Sequence, residues 1–235
     1  MWFLMAMIIV LGTALSGVSY AQNWGEFVGK VVAEWLPGGR DMKLMGDFVY
    51  VDPHGRKWIA PAGSVVNGAS IPQFAWSIIG GPFEGKYRDA SVIHDVACRK
   101  KDHPWQNAHE AFYTAMLAAG VDTLRAKVMY GAVYHFGPRW GRSMTFSNVP
   151  MASVQSKVAD VRATTAKDDE VLSEVRPRPP APGGLTQRSP QQQMADVLVR
   201  VVPHPSDLTQ KDFEVLRAKI EKNNVPLEVI QGFKP

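Results

Sequence analysis

Cysteine is almost missing from this sequence: Cys98 stands alone, so no intramolecular disulfide can form and no paired-cysteine zinc or redox motif exists. A disulfide-stapled miniprotein is excluded, and any metal is expected to bind through oxygen or imidazole. Excess charge is also scarce, since 26 Lys and Arg against 22 Asp and Glu leave a formal charge of +4 over 235 residues. That is too thin for a nucleic-acid footprint, while membrane phosphates stay open as partners. Beyond the first 21 residues no apolar run reaches the length of a membrane span. Aromatic rings run out near residue 150: every Trp and Tyr lies before it, and only Phe213 and Phe233 follow. What remains is 46% apolar, enough for one sizeable core with appendages.

The leading segment MWFLMAMIIVLGTALSGVSYA carries no charged side chain, is apolar from Trp2 to Leu15 and closes on Ser19-Tyr20-Ala21. This is the pattern of a signal peptide over 1–21, cleaved before Gln22, and it predicts an exported protein, periplasmic or secreted. The absence of Lys or Arg from the n-region leaves an uncleaved N-terminal anchor as the alternative. With the aromatic break, the expected organisation is a core domain over 22–146, a disordered Pro/Gln-rich linker over 147–205, and a C-terminal region, 206–235, carrying an amphipathic helix. The linker rests on Arg176-Pro-Arg-Pro-Pro-Ala-Pro-Gly-Gly184 and Gln191-Gln-Gln193. The helix, about 208–223, rests on Leu208, Phe213, Leu216 and Ile220, with Ser206 or Thr209 as N-cap. Its apolar stripe would dock on a protein partner or stay solvated.

Within the core, Asp47–Val51 and Arg56–Ala60 flank the turn Asp52-Pro-His-Gly55 and read as a β-hairpin over 47–60. Gly80-Gly-Pro-Phe-Glu-Gly85 reads as a loop, and helices are expected over 86–100, 105–119 and 122–136. Asp122 is the cap of the third helix and Gly137-Pro138 its stop. The fold class is therefore α+β, a small antiparallel sheet followed by a three-helix half.

Chemistry concentrates on the first two helices. Tyr87, Ala90, Ser91, His94, Ala97 and Cys98 share one broad face, small enough for close approach. Trp105, His109, Phe112 and Met116 form the inward stripe of the next helix. If the helices fold back on one another, His94 and His109 meet, with Asp95 and Glu110 one residue around. A histidine beside a carboxylate is the usual general base near neutral pH. A hydrogen-bonded core histidine is the competing reading of the same spacing. Oxygens for a metal could come from the carbonyls of Gly80, Gly81 and Gly85, and Cys98 reads as a buried, inert thiol.

The string Ala60-Pro-Ala-Gly63, Val66-Asn67-Gly-Ala-Ser70-Ile-Pro72, Gly85-Lys-Tyr87, Ala90, His94-Asp95 and Ala108-His109-Glu-Ala-Phe112 resembles a bacterial and phage family of unknown function. Its members carry V-P-x-G-x-x-T-D-x-A-S-I-P, then G-K-Y-x-x-A, H-D and an A-D-x-x-F helix. The likeness spans roughly 45–140 and implies supporting roles for Asn67, Ser70 and Tyr87. Asn67 and His109 each stand where that family has Asp. The His-Asp helix is also similar to the core of secreted phospholipase A-two enzymes. That similarity implies His94 as base, Asp95 as a calcium ligand and His109 in the place of the acid that orients the base. The expected function is calcium-assisted hydrolysis of a phospholipid ester at a membrane or other envelope component. The alternative is a non-catalytic envelope or phage-assembly protein with a structural His-Asp-His cluster. Peptidoglycan cleavage is a further alternative, although no H-E-x-x-H zinc motif is present.

Overall fold

The computed structural model describes residues 23–68, 76, 80, 81, 83, 85–165, 169–179, 193–204 and 206–234. The expected leader, Ser70 and residues 180–192 of the expected linker lie outside them. The fold is α+β. Two small antiparallel sheets come first. One pairs β1 (Glu26–Val28), β4 (Phe48–Val51) and β5 (Lys57–Ala60) in the order β1-β4-β5, and the other pairs β2 (Ala33–Trp35), β3 (Met42–Leu44) and β6 (Val65–Val66) in the order β2-β3-β6. In the expected hairpin, Phe48 faces Ala60 and Tyr50 faces Trp58, and all four side chains are buried. The period of two in β4 and β5 thus sends one face into the core.

The hairpin turn is held by a buried acid. Asp52 Oδ1 accepts the backbone N–H groups of His54 (2.9 Å) and Arg56 (3.0 Å), while Oδ2 accepts Arg56 Nε (2.5 Å) and Trp58 Nε1 (3.0 Å). Burial alone pushes this carboxyl up, but the bonds from Trp58 and Arg56 outweigh it and hold the group below its ordinary value.

Three helices follow a single 3-10 turn at Gly85–Tyr87: α1 (Arg88–Lys100), α2 (Trp105–Ala118) and α3 (Thr123–Phe136). The chain leaves α1 through Lys101 at a left-handed φ of 57°, and α2 folds back against α1. Asp122 caps α3 by accepting from Leu124 N and Arg125 N, and Gly137 ends it in an extended conformation. α3 is buried nearly all round because it lies between α2 and the chain's C-terminal helices, α5 (Gln210–Asn223) and α6 (Leu227–Gln231).

Thr209 and Asp212 form a capping box at the start of α5. Phe213, Leu216 and Ile220 are fully buried in the main core, so the apolar stripe of this helix is spent within its own chain rather than on a partner or in solvent. Gly131 permits the approach, since a Cβ there would stand 3.3 Å from Leu216 and 3.4 Å from Ile230.

The disordered linker expected over 147–205 is corrected by the structure. β7 (Arg142–Pro150), β8 (Glu170–Pro177) and β9 (Met194–Val202) form an antiparallel sheet in the order β7-β9-β8, covered by α4 (Val154–Ala163). Ala195, Val197, Val199 and Val201 alternate inward along β9, and the three valines pack with Val149, Val154 and Val161 into a second small core. Averaging composition over the whole segment hides this period-two pattern, which β-branched valines stabilise. Asp169 ties the sheet to the first core, accepting Trp105 Nε1 at 2.9 Å, Gln106 Nε2 at 3.1 Å and the backbone N–H of His204 at 3.2 Å.

Replacing Asp52 by Ala leaves the Trp58 indole N–H and the turn amides without their acceptor and is expected to cost about 2–4 kcal/mol. Urea denaturation checks this; a loss within about 0.5 kcal/mol, the ordinary range of surface changes, would show that the acid does not organise the turn.

Candidate functional site

α1 carries His94, Asp95 and Cys98, and α2 brings His109 to them. His94 and Cys98 are one turn apart, so both project from the same strip of α1 toward α2. Across that contact His94 Nε2 and His109 Nδ1 are 2.8 Å apart, and Cys98 Sγ lies 3.6 Å from His94 Nε2. All three side chains are buried, His94 at 2% exposure and His109 at 0%.

Apolar and aromatic surroundings complete the enclosure. The His94 ring stacks on Phe112 at 4.7 Å, and the edge of Trp105 meets His109 at 5.4 Å. Arg139 lies 4.5 Å over the Trp105 ring.

Burial keeps both imidazoles neutral. It lowers the His94 pKa to about 3 and pushes His109 well below its ordinary value, where His94 and then Arg139 add to the effect. In a neutral pair one ring donates and the other accepts. The outer nitrogen of His109, Nε2, is buried with no partner of ordinary hydrogen-bond geometry, although the Pro138 backbone exerts a weaker opposing pull on the ring.

Asp95 faces a different task from the one its neighbour suggests. Its Oδ2 accepts the backbone N–H of Asn67 at 2.8 Å and of Gly68 at 3.3 Å, and Arg99 approaches the same oxygen at 3.5 Å. The oxygen expected to meet calcium is surrounded by N–H donors, which orient their positive ends where a cation would sit. Asn67 reaches the site through its main chain at that bond, and Ser70 is outside the described residues.

Within the expected metal loop the Gly81 carbonyl is engaged. The carbonyl of Gly81 accepts the Tyr87 hydroxyl, Gly80 N donates to the carbonyl of Trp76 at 2.9 Å, and Gly85 opens the 3-10 turn before α1. Glu110, one residue around from His109, turns instead to the hairpin, 3.5 Å from Arg56 and 3.6 Å from His54.

Sequence spacing thus brought His94 and His109 together, with Asp95 one residue around, and placed Cys98 on the face of His94 but read it as an inert thiol rather than as a member of the cluster. The signal was present in the i, i+4 relation of His94 to Cys98, which places both on one face.

Residues 42–133 match the model of a family described as a protein of unknown function, DUF1353. An uncharacterized protein of Sinorhizobium fredii (strain NBRC 101917 / NGR234), y4jT, is 42% identical over 139 residues, covering 58% of this chain and 41% of that protein. A second from the same strain, y4iH, is 40% identical over 138 residues, covering 57% of this chain and 58% of its own length. The chain thus spans about half the length of these curated relatives. No solved structure matches it.

The two buried rings carry a pH dependence with a definite sign. In the unfolded chain each histidine takes up a proton near pH 6.5, whereas the folded protein excludes it until far lower pH, about 3 for His94. Below pH 6.5 the unfolded state binds more protons, so stability falls as pH falls, with a slope approaching about 1.4 kcal/mol per pH unit for each ring. Urea unfolding between pH 7 and pH 5, in chelator-containing buffer, is expected to show this loss, and a His109→Gln variant to show it less steeply. Identical slopes would mean that His109 is not held neutral by the fold.

Proposed function

We propose that this chain is an exported, non-catalytic envelope or phage-assembly protein in which His94, His109 and Asp95 act as a buried polar staple. The observation that carries this reading is the engagement of the polar atoms where hydrolysis would need them available. His94 Nε2 is bonded to His109 at 2.8 Å, and Asp95 Oδ2 to the amides of Asn67 and Gly68. A base with a pKa near 3 is also poorly matched to drawing a proton from water at neutral pH. The staple joins α1 to α2 through the imidazoles and α1 to the segment after β6 through the carboxylate. Support for export comes from the apolar, uncharged first 21 residues. Among the described residues no helix is long and apolar enough to cross a membrane.

Calcium-assisted hydrolysis of a phospholipid ester is the second reading. One observation favours it: the bond between His109 Nδ1 and His94 Nε2 fixes the ring's orientation, as an orienting partner of a general base must. Asp95, with the carbonyls of the preceding loop, would then hold the ion.

One experiment separates the two. In the staple reading, replacing His94 by Ala leaves His109 Nδ1 buried without a partner, costs about 2 kcal/mol and lowers Tm by roughly 4–8 °C. The double variant with His109→Ala loses less than the sum of the single losses, because no orphaned ring remains. Calcium leaves Tm unchanged, and mixed phospholipid vesicles release no fatty acid. Calcium-dependent release by the wild type that is lost in a folded His94→Ala protein would establish the hydrolase instead.

A further inference from the structure

We infer that His94, Cys98 and His109 form a three-donor site for a soft divalent cation of the zinc class. The donor atoms His94 Nε2, His109 Nδ1 and Cys98 Sγ are contributed by two adjoining helices. Among the described residues this trio alone brings at least three His, Cys, Asp or Glu donors together, with one ligand atom of each within 4.8 Å of the others. The inference goes beyond the staple reading and does not depend on it.

Geometry and donor type converge. In a tetrahedral zinc site, bonds of about 2.0–2.1 Å to nitrogen and 2.3 Å to sulfur place two nitrogens about 3.3 Å apart and nitrogen and sulfur about 3.6 Å apart. The His94–Cys98 pair already has its spacing at 3.6 Å, the two imidazoles at 2.8 Å need to open by about half an ångström, and the His109–Cys98 pair, within 4.8 Å, needs to settle at about 3.6 Å. Two imidazoles and one thiolate suit zinc, copper or cobalt, and they do not suit calcium, which takes hard oxygen ligands.

The tautomers that such a site needs are open to both rings. His109 Nε2 is the outer nitrogen with or without an ion between the rings, and the Pro138 backbone is a polar group that acts on this ring. A cation between the rings would bind His94 Nε2 and His109 Nδ1 as bare lone pairs. The outer nitrogen of each would then carry the proton, as in metal sites where a backbone carbonyl orients the ligating histidine. Pro138, whose backbone already influences His109, is placed to supply that carbonyl. Binding displaces the thiol proton of Cys98 to solvent, and no electron is transferred.

Cobalt(II) and zinc(II), each added alone to chelator-treated protein, test the site. Cobalt is expected to give a near-ultraviolet thiolate-to-metal charge-transfer band with visible d–d bands of tetrahedral type. Zinc is expected to erase both and to raise Tm. Cys98→Ser, checked as folded by circular dichroism, should lose the charge-transfer band and bind zinc at least about tenfold more weakly, since even supporting residues of such sites change affinity by 10–100-fold. His109→Gln should weaken binding to a similar degree while keeping the charge-transfer band at saturating cobalt. Absence of any cobalt spectrum and of any zinc-induced Tm shift in folded wild type would overturn the site. Binding that is equally strong in Cys98→Ser would do the same, because it would place the ion elsewhere.

Discussion

A buried imidazole must place its polar nitrogens somewhere, and the bond between His94 and His109 is where α1 and α2 meet that demand. The 2.8 Å separation brings the two helices into register around a neutral pair, and the small residues Ala90, Ala97 and Cys98 let the backbones come close enough for it. Phe112 and Trp105 then close over the rings. Desolvation makes this arrangement all-or-nothing: with both rings matched it is tolerated, and with one removed the other becomes a buried orphan.

Two buried acids extend the same logic outward. Asp52 gathers the turn amides and the Trp58 indole of the hairpin, and Asp95 gathers the amides of Asn67 and Gly68 after β6. Each carboxylate is surrounded by N–H donors, and each converts an irregular stretch of backbone into a fixed one. Asp169 repeats the device at the join to the C-terminal sheet, where Trp105 supplies a donor from the same helix that carries His109. The aromatic wall of the His-Cys cluster is therefore held from behind by the second core. α5 and α6 complete the enclosure by burying Phe213, Leu216, Ile230 and neighbouring side chains against α3.

Much of this was legible from residue order. The turn at Asp52-Pro-His-Gly55, the cap at Asp122, the stop at Gly137-Pro138 and the limits of three helices are local features governed by backbone chemistry and periodicity. The meeting of His94 with His109 followed from two helical stripes and a short connection. Outside residues 180–192 the linker reading failed because proline and glutamine counts dominate a long window, whereas a strand needs only alternating valines in a short one, as at Val197, Val199 and Val201. The C-terminal stripe was readable as amphipathic, but its destination on α3 was not, since a sequence does not say which surface of the chain it will meet.

By itself the sequence determined that no intramolecular disulfide could brace this protein, that two histidines and an acid would lie on adjoining helices, and that the fold would combine small antiparallel sheets with a helical half. Those conclusions rest on composition and on contacts between near neighbours in the chain. Tertiary structure decided which partners the polar groups meet. It turned Asp95 toward the amides of Asn67 and Gly68, set Cys98 Sγ 3.6 Å from His94 Nε2, and buried both rings until neither takes up a second proton near neutral pH. Burial and partner choice depend on segments far apart in the sequence, and the protonation state and ligand chemistry of a side chain follow from them.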